Sequence, residues 1–310
     1  MLAVKRKIDS ILESLSGYLH GKDAALRLAL ITFFSRGHLL IEDMPGLGKT
    51  TLAIGIAKSL DLSFGRIQCT SDLLPTDITG LSIFDKTSGE FVFHPGPIFN
   101  NIVLIDEINR TTPKTQSALI EAMGEKQVTV DRQTYKLPKP FFVIATQNPV
   151  EQFGTFYLPE SQLDRFLMKI SIGYPARDAE MEILRKGSRR GDLYTIAPVM
   201  DGKEVMQIQD MISASVHMSE KIIEYIMNIV EATRVEKRLV SGLSTRGALA
   251  MQHTAKANAF LKGRDYVIPE DIKELSGFVI PHRIIFREEY EHTERQEMVR
   301  SLIESVKAPV

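Results

Sequence analysis

One cysteine, Cys69, is all that the 310 residues contain, so no internal disulfide can form. No neighbour in sequence suggests a nucleophile pair with it, and it is expected only to pack. Neither sign of charge prevails: 38 Lys and Arg stand against 39 Asp and Glu, a formal net charge of -1. That balance supplies no bulk attraction to nucleic acid or anionic lipid, so no nucleic-acid partner is expected. No apolar run approaches the roughly 20 residues that cross a bilayer. The start, MLAVKRKIDSILESL, has no continuous hydrophobic segment followed by a small-residue cleavage site and reads as an amphipathic helix; the expected location is cytoplasmic. The seven histidines show neither HxxxH nor HExxH spacing, which disfavours a transition-metal site built by the protein alone.

What remains is the composition of a folding globular chain, 44% hydrophobic and 25% charged, long enough for one large domain and a smaller one, each with its own core. Residues 1–36 carry two helical patterns, with Ile8, Ile11, Leu12 and Leu15 in the first and Leu26, Leu28, Leu30 and Ile31 in the second. Short apolar runs then recur at His38 to Ile41, Phe64 to Gln68, Ile102 to Ile105, Phe141 to Thr146 and Phe166 to Ile172, with helical stretches at 50–60 and 113–123 between them. Strands alternating with helices predict an α/β domain on a largely parallel sheet, with ligands at the carboxyl ends of the strands. After Tyr174-Pro175 the helical ARDAEMEILRK leads into a stretch with Gly191, Pro198 and Gly202 that reads as a connection. From 201 the strand pattern stops. Ile222, Ile223, Ile226, Met227 and Val230 share a helix face, and further helices are expected to start near Ser244, Pro269 and Glu288. The expected division is an α/β core over 1–175, a connecting helix and linker over 176–200, and a small all-α domain over 201–310.

The chemistry concentrates at the strand ends. HLLIEDMPGLGKTT joins a strand to a helix through Gly46, Gly48, Lys49 and Thr50. Glycines let backbone N–H groups wrap phosphate oxygens, Lys49 offers a point charge to β- and γ-phosphates, and the Thr50 hydroxyl suits magnesium. Against the strict pattern GxxxxGK[ST], position 43 is Asp rather than Gly. NIVLIDE supplies the complement: a strand ending in Asp106, suited to magnesium through water, with Glu107 beside it to polarise an attacking water. FFVIATQNP ends in Gln147-Asn148-Pro149, where an amide either orients that water or merely caps a strand. LPESQLDRF places Arg165 far from the phosphate loop in sequence. It either reaches a neighbouring subunit's γ-phosphate, a role worth about 10³ to 10⁵ in rate for such arginines, or pairs with Asp164 or Glu160.

Between Leu40 and Leu167 the residues resemble the MoxR family of AAA+ ATPases, through LIEDMPGLGKT, DLLPTDITGLSIFDKTSGEFVFHPGPIFNNIVLIDEINRTTPKTQSALIEAMGEKQVTV and ATQNPVEQFGTFYLPESQLDRFL. Glu-Asp before the Pro-Gly of the loop is common in that family. The resemblance implies an AAA+ P-loop domain with two hairpin insertions and a helical lid. It implies that Asp43, Pro45, Gly46, Leu47, Gly48, Lys49, Thr50 and Thr51 belong to the Walker A loop, and Asp106 and Glu107 to Walker B. Asn148 is then sensor 1, Arg165 the arginine finger, and Arg246 of LSTRGALAM the sensor 2 arginine of its own subunit's site, although Thr245 stands where the family usually has proline. It further implies ATP and Mg2+, the metal at Thr50 and Asp106; a homo-oligomeric ring of six; a chaperone-like role on a client protein complex; and a partner carrying a von Willebrand factor A domain. The hairpins, GLSIFDKTSGEFVFHP and QVTVDRQTYKLP around Asp131-Arg132-Gln133, must project from a parallel domain. By resemblance they face the client; alternatively Phe91 and Phe93 only pack their hairpin onto its own domain. Arg110 is either at a subunit boundary or a plain surface residue. Three other functions remain open: a metal-chelatase ATPase subunit, a nucleotide-gated assembly scaffold with slow turnover, and a DNA helicase, which the near-zero charge disfavours.

Overall fold

The computed structural model describes residues 2–149, 154–187 and 190–309. Two helices, α1 (Leu2–Ser16) and α2 (Asp23–Phe34), precede β1 (Leu39–Glu42). The chain continues through α3 (Lys49–Ser59), β2 (Phe64–Gln68), α4 (Pro75–Thr79), the hairpin β3 (Gly80–Asp85) and β4 (Glu90–Pro95), and β5 (Ile102–Asp106). There follow α5 (Pro113–Glu125), the hairpin β6 (Gln127–Val130) and β7 (Gln133–Lys136), β8 (Phe142–Gln147), α6 (Glu160–Leu163), β9 (Met168–Ile170) and α7 (Arg177–Lys186). The last third holds α8 (Gly202–Ser215), α9 (Glu220–Val235), β10 (Leu239–Ser241), α10 (Thr245–Leu261), α11 (Pro269–Val279), β11 (Ile285–Phe286) and α12 (Arg295–Ser305).

β1, β5 and β8 read as unbroken apolar runs because both faces of their sheet are covered. The sheet runs β2-β5-β8-β1-β9 with every neighbouring pair parallel. Side chains alternate between its faces: Leu39, Ile41, Ile102, Leu104, Phe142 and Ile144 enter one buried cluster, and Leu40, Val103, Ile105, Val143 and Ala145 the other. The second cluster is closed by α5 through Leu119, Ile120 and Met123, so that helix is structural. His38 stitches this layer together, its Nδ1 accepting from the Val143 N–H at 3.0 Å while its Nε2 lies 3.2 Å from the Met123 carbonyl.

The first cluster runs on through α1, α2 and α3 into α8, α9, α10, α11 and α12. The lid therefore shares a core with the N-terminal helices rather than enclosing one of its own. The cause is local: α2 buries Ala25, Leu26, Ala29, Leu30, Phe33 and Phe34 on one half of its circumference and Ile31 and Thr32 on the other, which serves two layers at once. Ser244 caps α10 by accepting from the Gly247 N–H at 3.2 Å, and α11 begins at Pro269 with Asp271 accepting from the Ile268 N–H at 3.1 Å. Near Glu288 only a 3₁₀ turn, Glu288–Tyr290, forms, and α12 starts at Arg295. The lid also contains one small antiparallel ribbon, β10 with β11, too short to be seen as alternation.

Both insertions are hairpins. β3 and β4 pair from Gly80↔Pro95 to Asp85↔Glu90, and Asp85 ties the turn by accepting from the Thr87 N–H at 2.8 Å. In the second hairpin Val130 pairs with Gln133, so the turn is Asp131-Arg132 alone, with φ of 49° and 67°. Phe93 stacks on Tyr135 of the other hairpin at 3.9 Å between ring centroids, whereas Phe91 is 73% exposed. The two phenylalanines thus part company: one joins the hairpins and the other faces solvent.

Candidate active site

The carboxyl ends of β1, β2, β5 and β8 meet around a cavity of about 340 Å³. Beyond β1, Gly46 and Gly48 take φ of +87° and +93°, a region costly for any residue with a Cβ. The loop thereby turns sharply into α3, whose first residues Lys49, Thr50 and Thr51 line the cavity at the positive end of the helix dipole. Lys49 Nζ donates to the Asp43 carbonyl at 2.5 Å. Burial lowers the Lys49 pKa, and the charges of Asp43, Asp106 and Glu107 oppose that shift.

Asp106 is buried, and its charge is answered within the chain: Oδ2 accepts from Arg66 Nε at 2.7 Å and Oδ1 from Thr146 Oγ1 at 3.3 Å. Glu107 follows with φ +57°, a strained backbone for a residue bearing a Cβ. Its N–H donates to Thr146 Oγ1 at 2.9 Å, and its Oε2 accepts from Gln68 Nε2 at 3.1 Å and lies 3.3 Å from Arg110 Nε. Asn148 is buried and completes the wall. Thr50 and Asp106 line one cavity, a hydroxyl and a carboxylate of the kind that fits magnesium when phosphates and water complete its shell.

A second cavity, of about 700 Å³, continues from the loop past Leu47 and is walled by Tyr18, Leu19, Tyr174, Ile183 and Leu184. None of these five was singled out from the sequence, nor were Arg66, Gln68 and Thr146. The last three were within reach: Arg66 and Gln68 alternate at the end of β2, as Thr146 and Asn148 do at the end of β8, so each pair shares a face. The aromatic and aliphatic wall was not, since it joins residues from opposite ends of the core.

Three expected site residues lie elsewhere. The Asp43 side chain turns away from the loop and accepts from Ser171 Oγ at 2.9 Å and from the N–H groups of Ile172 and Gly173. A carboxylate so engaged anchors the chain leaving β9; only the Asp43 carbonyl serves the loop. Arg246 does not line its own chain's phosphate cavity; it pairs with Asp164 at 3.3 Å. Arg165 does not line it either. It lies across Gly124 of α5, where a Cβ would collide with its guanidinium, and among the described residues it makes no ion pair with Asp164 or Glu160. Residues 150–153, inside the resembling segment, are outside the described residues. Cys69 is fully buried, and burial with the charges of Asp106 and Glu107 pushes its thiol up to about 12, so it packs as expected.

A parallel sheet with a glycine-rich loop after its β1 strand, acidic residues ending β5 and a helical lid defines an AAA+ ATPase. Family models agree: that of the ATPase family associated with various cellular activities (AAA) matches residues 38–168, and that of the AAA lid domain matches 231–303. The chain belongs to the MoxR family of these ATPases. It is 38% identical over 275 residues to Chaperone MoxR1 of Mycobacterium tuberculosis (strain ATCC 25618 / H37Rv), which covers 86% of this chain and 72% of that one. It is 45% identical over 300 residues to uncharacterized protein YeaC of Bacillus subtilis (strain 168), covering 96% and 93%. A crystal structure of a provisionally named ATPase from Cytophaga hutchinsonii ATCC 33406 superposes with a TM-score of 0.92 at 39% identity, covering 100% of this chain and 97% of the other. No helix among the described residues is long and apolar enough to cross a membrane.

Proposed function

We propose that the chain hydrolyses ATP to ADP and phosphate as a ring of six copies in the cytoplasm, and couples the reaction to remodelling or maturation of a client protein complex. The observation that carries this is the division of the chemistry: Lys49, Thr50, Asp106, Glu107 and Asn148 surround one cavity, while Arg165 lies outside it, against Gly124 of α5. A complete site then needs two copies.

Lys49 holds the β- and γ-phosphates against the dipole of α3, and Gly46, Gly48 and Thr51 shape the cradle. The apolar second cavity between Tyr18, Tyr174 and Leu184 takes the base. The Thr50 hydroxyl and, through water, Asp106 would hold magnesium, which when bound would supply positive charge to the transferred phosphoryl group. Arg66 must release Asp106 Oδ2 for that, and Gln68 must release Glu107 before its carboxylate can polarise the attacking water that Asn148 orients. Arg165 meets the nucleotide of the next subunit, and Arg246, the sensor 2 arginine, meets that of its own subunit once it leaves Asp164. A partner carrying a von Willebrand factor A domain completes the assembly.

Glu107→Gln should bind nucleotide within a few-fold of the parent but turn over at least about 10²-fold more slowly, and Lys49→Ala should lose nucleotide binding, as read by titration and phosphate release. Hydrolysis by Glu107→Gln at the parental rate would refute the assignment. Affinity capture with Glu107→Gln and ATP tests the remodelling; recovery of no specific partner counts against it, and a scaffold would keep its biological output in that variant.

A further inference from the structure

Arg283 follows α11 in the lid, and its side chain is 2% exposed. A guanidinium cannot shed its charge readily, so its burial requires partners on every side. The partners are unusual in their placement. Nε donates to Asp164 Oδ1 at 2.9 Å, Nη2 to the Phe166 carbonyl at 2.6 Å, and Nη1 to the carbonyls of Leu167, at 3.1 Å, and Val279. Three of these four groups flank Arg165 in sequence, one before it and two after. The remaining oxygen of Asp164 receives Arg246 from the start of α10, also in the lid. The segment 164–167 is thus bonded to the lid on both sides of Arg165, while the Arg165 guanidinium itself stays exposed over Gly124.

We propose that Arg283 is a positioning residue for Arg165: it fixes the peptide units around Arg165 to the lid, so that movement of the lid carries the arginine that meets a neighbouring subunit's nucleotide. This rests on the trans role of Arg165 given above. Burial lowers the Arg283 pKa to about 10 and Asp164 opposes the shift, so the guanidinium is charged at neutral pH and the clamp is closed. Lysine cannot replace it, having one nitrogen where the clamp needs a fork reaching a carboxylate and three carbonyls.

Mixed oligomers separate the two ideas. One chain carries Arg165→Ala, keeping its nucleotide site but offering no arginine; the other carries Lys49→Ala, offering the arginine but binding no nucleotide. Stimulated ATP turnover on mixing supports the trans role; no stimulation overturns it and the proposal with it. The second chain is then made Lys49→Ala with Arg283→Lys. The expected result is a loss of about 10- to 100-fold in turnover per assembled interface, the scale of an ångström's misplacement, with the KM for ATP in the partner's site unchanged and co-assembly by sedimentation intact. A chain that was merely destabilised would lower the number of assembled interfaces instead of the rate at each. Stimulation equal to that of Lys49→Ala alone would reduce Arg283 to a staple and overturn the proposal. If Arg283→Lys fails to assemble, Asp164→Asn in the same position decides, with a smaller loss expected and an unchanged rate refuting.

Discussion

His38 illustrates how one buried side chain can govern stability without touching the site. Burial holds it neutral, with its pKa lowered from 6.5 to about 4, and its Nδ1 must stay unprotonated to accept from Val143. The unfolded chain takes up a proton below about pH 6.5 and the folded chain does not, so the stabilisation is complete above that pH and is lost as pH falls toward 4. The loss reaches about 2 to 3 kcal/mol at pH 4.5. Urea unfolding of the parent and of His38→Gln, which retains an acceptor and a donor, should show the variant losing that much less between pH 7 and 4.5. Equal losses would refute the role. His282, also buried with its pKa well below the ordinary value, adds acid sensitivity in the same direction.

At the scale of elements, the two hairpins form one unit because Phe93 of β4 stacks on Tyr135 of β7 and sets its edge against Phe99. Phe93→Ala should lower stability by about 1 kcal/mol or more, since such ring pairs contribute beyond their buried area. Phe91→Ser, at an exposed position whose only ring contact among the described residues is Phe84, should stay within about 0.5 kcal/mol. Chemical unfolding of the two variants checks this, and similar losses from both would show that the exposed ring also packs. Alternation along GEFVFHP announced a hairpin, yet gave no means of telling Phe91 from Phe93. They share a face of the ribbon, and their difference comes from Tyr135, which lies more than forty residues on in the chain.

For the whole molecule, separation of Arg165 from the phosphate cavity predicts that turnover and binding respond differently to dilution. Nucleotide affinity per chain should be nearly independent of protein concentration, whereas ATP turnover per chain should fall steeply as the oligomer dissociates. A dilution series followed by phosphate release and light scattering checks this. Constant turnover in the monomer range would place all catalytic groups within one copy.

Sequence alone determined the strand runs, the glycine-rich loop and the acidic pair, because each is a contiguous segment whose residue types serve one local need: apolar where both sheet faces are covered, glycine where φ is positive, carboxylate where a strand ends at the cavity. The tertiary structure decided which way Asp43 and Arg246 point, that Arg66, Gln68 and Thr146 share the phosphate cavity, and that Tyr18 and Tyr174 wall the cavity beside it. It also decided that the lid and the N-terminal helices hold one core and that Arg283 grips the chain around Arg165. These depend on contacts between distant segments, and a side chain's direction and charge partner are properties of what packs against it. No spacing along the chain records them.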